Sequence, residues 1–391
     1  MKLKYIIYLF LFLSFKSQAQ SLSKAATFSI LTVDPSDELY TSFGHAALRL
    51  SDSIQGVDIV FNWGVFDFDT PNFYLKFAGG QLNYMLAAES YGSFMTEMHN
   101  RQTRVVAQYL NLNDSEKSRL FSLVQQNYLP ENRYYKYDFF YDNCATRIRD
   151  IILEAVNRQY TLADDNNIEK STYRQLCGEY VSNKPWIKLG IDILLGLPSD
   201  KKADLYNAMY LPANLYDGFK KIKKTDKSYL ILNEVQVLNN PIGAERKETR
   251  GPLVILIVAA LVFCAALPWL GRLSNVLEGT FFTLTGLLGW LLLAMWFISD
   301  HEVMRNNLNV LWAFPINLFY FIIIKKDSWK KIYFAFTGSL ALFVLIGFPF
   351  MPQEFNILLI PVFFVLIIRS FSIAFNLDNK IRTYFKPHHN E

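Results

Sequence analysis

The chain has 391 residues, of which 51% are hydrophobic and 16% aromatic, and a formal net charge of +4. That is too apolar for an ordinary soluble chain of this length, and the slight positive balance is no argument for a nucleic-acid partner. No internal repeat or low-complexity tract is present.

At the start, Lys2 and Lys4 precede an apolar run from Tyr5 to Phe15 and then "KSQAQ", with Ser17 and Ala19 two residues apart. This is the pattern of a secretory signal, residues 1–19, expected to be cut after Ala19. The run is short for a bilayer span, and an uncleaved anchor is the alternative reading. Either way the segment that follows, residues 20–250, is expected outside the cytoplasm. Within it, "TFSILTV", "HAALRLSD" and "GVDIVFNWGVFDFD" read as strands. "DSEKSRLFSLVQQNYL" reads as a helix capped by Asp114 or Ser115, with Leu120, Leu123 and Val124 on one face. A strand is expected over Tyr134–Tyr141, and after Cys144 a helix presenting Ile148, Ile151, Ile152 and Ala155 at i, i+3, i+4 and i+7. The domain is α+β, and its apolar stripes are expected to close on one another without the rest of the chain.

After residue 250 the character changes. Five apolar stretches follow, Leu253–Leu270, Phe281–Ile298, Leu308–Ile324, Ile332–Phe350 and Ile357–Phe375, each near the roughly 20 residues a membrane helix needs. A five-helix membrane domain over 251–376 leaves residues 377–391 as a cytoplasmic tail. Charge agrees: Arg272, the cluster Lys325, Lys326, Lys330 and Lys331, and Lys380, Arg382 and Lys386 fall on the expected inner side, Arg305 on the outer. "ERKETR" before the first span argues the other way, softened by its glutamates.

Cys144 lies in "YKYDFFYDNCATRIRD", behind Asp142 and Asn143, both good N-cap residues. A thiol in the first turn of a helix faces unpaired N–H groups and the positive end of the dipole, which favour a thiolate. Position alone leaves packing, a disulfide to Cys177 and a nucleophile all open. Cys177, in "YRQLCGEYV", has the periodicity of a buried helix residue, and Cys264 lies in the first apolar stretch. A nucleophile needs a base. The segment 20–250 holds two histidines, and His45, in "SFGHAALRL", is better placed than His99 in the polar "TEMHNRQTR". No His, Cys or carboxylate cluster has metal-ligand spacing, so no metal or other cofactor is expected.

"SFGHAALRL", "FNWGVFDFD", "YDFFYDNCATRIRD", "PWIKLGIDILLGLPSD" and "YLPANLYDG" occur in the order and rough spacing of the Lnb-type periplasmic domain, and "DHEVMRNNLNVLWAFP" with its surrounding spans resembles that family's five-helix transmembrane domain. The resemblance implies a permuted papain-like fold, similar to NlpC-type enzymes and lecithin:retinol acyltransferase, in which the histidine strand precedes the cysteine helix. It implies lipoprotein N-acylation at the inner membrane of Bacteroidetes-like bacteria, with membrane phospholipid as acyl donor and the α-amine of a lipid-modified N-terminal cysteine as acceptor.

In chemical terms, Cys144 would attack the donor ester with His45 as base, and a thioester would pass the acyl group to the amine. Asn62, preferred over Asp67, is expected to orient His45. The start of the Cys144 helix, with Tyr141, Asp142 and Asn143, is expected to shape the oxyanion site. Asp300 and His301 are candidates for a lipid groove or for a helix cap, and the aromatic run "FDTPNFYLKF" for the membrane interface or for ordinary core. The rival readings are a membrane-anchored peptidoglycan peptidase or amidase with the same Cys–His pair, and a non-catalytic binding or sensor module with Cys144 and Cys177 bridged.

Overall fold

The computed structural model describes residues 21–36, 41–162, 171–239 and 251–384. The expected signal segment and "ERKETR" lie outside them.

The apolar run of β1 (Thr27–Val33) is buried at every position but the first, because the strand is sandwiched on both faces. It pairs antiparallel with β2 (His45–Asp52), which pairs with β3 (Val57–Val65). Strands β4 (Asn83–Ser90), β5 (Val105–Leu110), β6 (Tyr134–Lys136) and β9 (Ile231–Leu238) complete a seven-stranded sheet, ordered β6-β4-β3-β2-β1-β5-β9. Short β7 (Tyr160–Leu162) and β8 (Ile222–Lys224) pair separately. Between β3 and β4 lies a short helix, α1 (Phe73–Ala78), and after β4 comes α2 (Tyr91–Asn100), whose Phe94 and Met98 pack on one face of the sheet.

The other face carries the larger core. The expected helix is α3 (Asp114–Tyr128), but its cap is Asn113, closed by a reciprocal box with Glu116, rather than Asp114 or Ser115. The Cys144 helix is α4 (Cys144–Ala155), with Ile148, Ile152 and Ala155 buried against β2 and β3 and Ile151 half-buried. Further helices follow: α5 (Tyr173–Tyr180), α6 (Pro185–Leu194), α7 (Leu205–Ala208) and α8 (Pro212–Lys221). The strand expected over Tyr134–Tyr141 ends at Lys136. Beyond it the Asp138 carboxylate accepts from the N–H groups of Phe140 and Tyr141, turning the chain into α4.

In the apolar half, four helices are long and apolar enough to cross a membrane: α9 (Gly251–Ala266) with its continuation to Trp269, α10 (Arg272–Phe297), α12 (Asp327–Gly347) and α13 (Ile360–Phe375) with its lead-in from Ile357. The third expected span is not a continuous helix. It runs as 3₁₀ turns at Leu308–Leu311 and Pro315–Phe319 and one α turn, α11 (Tyr320–Ile323). Pro315 removes an N–H donor and breaks the helix. Glycines of α10 then let the broken chain lie against it: a Cβ at Gly289 would sit 1.9 Å from the Ala313 carbonyl oxygen, and one at Gly286 2.1 Å from the Leu318 nitrogen. Non-helical backbone is tolerated at membrane depth where protein buries it. Asn317 supplies added polar contacts, donating to Thr285 Oγ1 at 3.1 Å and accepting from Tyr333 at 2.6 Å. A last helix, α14 (Leu377–Tyr384), returns Asp378 to the Arg369–Glu278 pair.

The main core of the N-terminal domain is built from its own strands and helices, as expected, but α6 is shared with the apolar half. Leu189, Ile193 and Leu194 of α6 pack into the core of the apolar half. The C-terminal carbonyls of α6, which a helix leaves without partners, are taken by the segment after α10. Asn307 donates to Ile193 and Leu194 oxygens at 2.7 and 3.0 Å, and Asn309 to Ile193 at 3.1 Å. Gly196 donates to the Val303 carbonyl at 2.8 Å.

Gly286→Ala or Gly289→Ala should each cost about 1–3 kcal/mol, because the clash is with backbone that cannot swing away. Thermal unfolding in detergent should show this against Gly190→Ala, where nothing lies within 4 Å of the new carbon. Equal midpoints for all three would remove the close approach as a determinant of the third segment.

Candidate active site

Cys144 is the first residue of α4. Asn143 caps the helix: its Oδ1 accepts from the Thr146 N–H at 2.9 Å, while its Nδ2 donates to the carbonyls of Phe139 and Tyr210 at 2.7 and 2.8 Å. Asp142 is held by Arg147 through two bonds of 2.5 and 2.7 Å. Tyr141 lies edge-on to Tyr173. The side chains of Tyr141, Asp142 and Asn143 are engaged in building the helix start, so they shape the site through the backbone of its first turn. What they deliver is a fixed first turn whose Ala145 N–H is turned to the Cys144 sulfur.

His45 opens β2, behind Gly44. That glycine has φ +74°, and a Cβ there would meet the Val33 carbonyl oxygen at 2.6 Å, so the turn into the strand requires it. The imidazole Nε2 lies 3.1 Å from Asn62 Oδ1 on β3. Asn62 Nδ2 donates to Glu89 Oε1 on β4 at 2.8 Å, which fixes the amide with its oxygen toward the ring. Nε2 is then the protonated nitrogen, and Nδ1 is left for the thiol. Asn62 thus stands where expected. Asp67 is exposed in the turn after β3. Glu89 was not legible in sequence, because no pattern marks a carboxylate two strands from a histidine.

The Cys144 sulfur is hydrogen-bonded to His45 and to the N–H groups of Ala46 and Ala145. Burial alone would push this thiol up. The His45 charge and these hydrogen bonds outweigh it, and the thiol is held below its ordinary value. Burial likewise disfavours the imidazolium, and the opposed Cys144 charge, with hydrogen bonds to Cys144 and Asn62, holds His45 above its ordinary value against the more distant Arg101. Both shifts run in the direction that favours a thiolate beside an imidazolium.

Cys177 is a free thiol in a different core cluster, beside Tyr173 and Leu195, and burial pushes it up to about 12. Cys144 is also free, so the structure holds no bridge between them. His99 is exposed on α2. Cys264 is half-buried on α9. Asp300 and His301 lie at the end of α1: Asp300 pairs with Lys136 at 2.6 Å and donates its N–H to Gly79, and His301 Nε2 lies 3.0 Å from the Phe77 carbonyl oxygen.

One more polar group lies near the cysteine. The sheet slips register between Asn62 and Val65, and Gly64 in that irregularity has φ +91°. A Cβ there would lie 3.9 Å from both Cys144 Cβ and the Tyr135 hydroxyl, and 3.6 Å from the Tyr137 ring. The Tyr135 hydroxyl is buried without a hydrogen-bond partner. Burial first, and then the Cys144 charge, push its ionisation up, so it stays a neutral donor. A buried, unpartnered hydroxyl is costly unless something uses it.

Iodoacetamide should label Cys144 at pH values where an ordinary thiol, near pKa ~8.5, is still protonated. His45→Ala removes the two largest effects that oppose burial and should raise the labelling midpoint; a wild-type midpoint at or above that of a free thiol would refute the Cys144–His45 pairing. Asn62→Ala and Glu89→Ala should raise the midpoint by less, whereas Glu89→Gln, which keeps an acceptor for Asn62, should hold it. If Asn62→Ala leaves the midpoint where it was, the ring is oriented by something else.

Two family models match the chain. The family model for the Lnb N-terminal periplasmic domain matches residues 15–178, which include His45, Asn62, Glu89, Tyr135 and Cys144, and that for the Lnb transmembrane domain matches residues 251–380. No curated protein and no solved structure matches the chain. Both halves match in one chain and in order, so this membrane protein belongs to the Lnb family.

Proposed function

We propose that the chain is a cysteine-dependent N-acyltransferase that moves an acyl chain from membrane phospholipid onto the α-amine of the lipid-modified N-terminal cysteine of lipoproteins. The observation that carries this reading is a cysteine at a helix start held against a histidine, each shifted toward its charged form, in a domain whose helix α6 is packed into the apolar helical half. A soluble substrate would need no such coupling. The order of His45 on an early strand and Cys144 on a later helix supports the permuted papain-like arrangement.

The reaction divides into two displacements. The Cys144 thiolate adds to the ester carbonyl of the donor, the Sγ–C bond forms, and the ester C–O bond breaks. His45 gives its proton to the departing lysophospholipid oxygen. The acceptor amine then attacks the thioester, the C–N bond forms and the C–S bond breaks, with the amine proton passing to His45 and the thiolate restored. Each tetrahedral oxyanion needs donors aimed at it. The Ala145 and Ala46 N–H groups and the Tyr135 hydroxyl are in place, the last with no other partner.

The charge distribution supports an orientation with the N-terminal domain in the periplasm, at the bacterial inner membrane. Arg272 at the start of α10 and Lys325, Lys326, Lys330 and Lys331 around the start of α12 sit at the ends remote from the segment that clamps α6.

The test uses purified full-length protein in phospholipid nanodiscs with a diacylglyceryl lipopeptide, read by mass spectrometry. The wild type should add one acyl chain to the amine and, without acceptor, accumulate a thioester on Cys144. Cys144→Ser and His45→Ala should lose activity by orders of magnitude, and Tyr135→Phe about 10²–10³-fold. Near-normal transfer by the Cys144 variant would sink the assignment, and efficient muropeptide cleavage in its place would establish the peptidase.

A further inference from the structure

Helix α1 has no buried residue, which is unusual for an ordered element. Its Tyr74, Leu75 and Phe77 are 81%, 76% and 51% exposed, and Phe68 just before it 66%. A six-residue helix has no stability of its own in water, and so much apolar surface would not be left there without an occupant.

Its position indicates the occupant. Three bonds tie the end of α1 to the chain leaving α10: Asp300 N–H to the Gly79 carbonyl at 2.9 Å, Ser299 Oγ to the Ala78 carbonyl at 3.2 Å, and His301 Nε2 at 3.0 Å from the Phe77 oxygen. A Cβ on Gly80 would crowd Asp300 and His301 at 3.1–3.3 Å, so this contact is close. Helix α10 has 26 residues, about 39 Å at 1.5 Å per residue, against a hydrocarbon core of about 30 Å. Its last residues, Phe297 and the following Ile298, are 74% exposed each, as lipid-facing side chains are. The clamp therefore sets α1 at the boundary between headgroups and acyl chains.

From that boundary a continuous series of rings runs to the thiol. Phe77 stacks on Phe73 at 6.3 Å, Phe73 meets Phe66 at 5.8 Å and Phe68 at 4.9 Å, Phe66 meets Tyr84 at 5.2 Å, and Tyr84 stacks on Tyr137 at 4.5 Å. Tyr137 and Cys144 Cβ flank the same bare glycine, Gly64. Phe66, Phe73 and Tyr137 are only partly buried, so the series keeps ring surface accessible along its length.

We infer that α1 is a lipid-entry element: its apolar side chains sit in the leaflet nearest the N-terminal domain, and the ring series from Phe77 to Tyr137 receives a phospholipid acyl chain and leads its ester to Cys144. This rests on the acyl-transfer reading for its purpose, and on the clamp and the rings for its geometry.

The experiment has two arms on full-length protein in nanodiscs. In the first, a phospholipid with a diazirine in its acyl chain is photolysed and adducts are mapped, on the wild type and on Cys144→Ser. Adducts are expected on Phe68, Tyr74, Leu75 or Phe77 and on Phe66 or Tyr84; adducts confined to the apolar spans would overturn the inference. In the second, Tyr74→Asp with Leu75→Asp should slow Cys144 acylation from bilayer phospholipid roughly tenfold or more, by removing two large apolar contacts. Acylation by water-soluble p-nitrophenyl acetate should stay unchanged. Unchanged rates with both donors would also overturn it. If the variant loses both donors, or the wild type forms no acyl-enzyme with either, the adduct map alone decides lipid entry, and the latter result removes the acyl-transfer reading by itself.

Discussion

The arrangement depends on how the end of α6 is satisfied. A helix ends with carbonyls that have no partner inside it, and burying them unpaired is costly. Here Asn307 and Asn309 take several from one side. Arg174, almost wholly buried, donates to the Asp192 and Leu195 carbonyls at 2.9 Å each, and binds Asp200 through bonds of 2.8 and 2.9 Å. Asp192 in turn accepts from Asn356 at 2.7 Å and from Lys188 at 2.9 Å. A buried charge with its partners in place is tolerated, whereas losing one partner typically costs several kcal/mol. The two halves are thus joined by Asn307, Asn309 and Asn356, which satisfy buried acceptors of α6 across the joint.

That joint gives the thiol its place. Through α6 and the α1 clamp the sheet and α4 are joined to the apolar helices, and this joint positions Cys144 relative to them. The thiol itself is a balance of opposed effects. Burial raises it, and the imidazole and two backbone N–H groups win. The same burial that threatens the charge also excludes water, and this strengthens each donor aimed at it.

The third apolar segment shows the same logic inside the membrane region. Broken backbone there is stable only where another element covers it. Gly286 and Gly289 let α10 come within contact of the broken chain, and the polar groups of Asn317 and Thr285 find each other. The interruption is consistent with a segment built to carry the Asn307 and Asn309 side chains to α6, which a straight helix starting at Leu308 would tie into its own first turn.

Much of this was legible in the chain. Periodicity located β1, β2, β3, α3 and α4, because period-2 and period-3.6 patterns report burial directly. Apolar length gave the membrane half, and an asparagine before Cys144 gave the helix start. Five equal helices were not what folded, since Pro315 is visible in sequence but the glycines that accommodate its break act only through a neighbour. His45 and Cys144 could be paired by elimination. Asn62 was also named from the strand after His45, whereas Glu89 beyond Asn62 and the Tyr135 hydroxyl near Gly64 belong to the three-dimensional arrangement, because strand order and a register slip bring them together. Local pattern determines which face a residue presents; only tertiary packing decides what meets that face, since contacts between elements far apart in the chain leave no period behind.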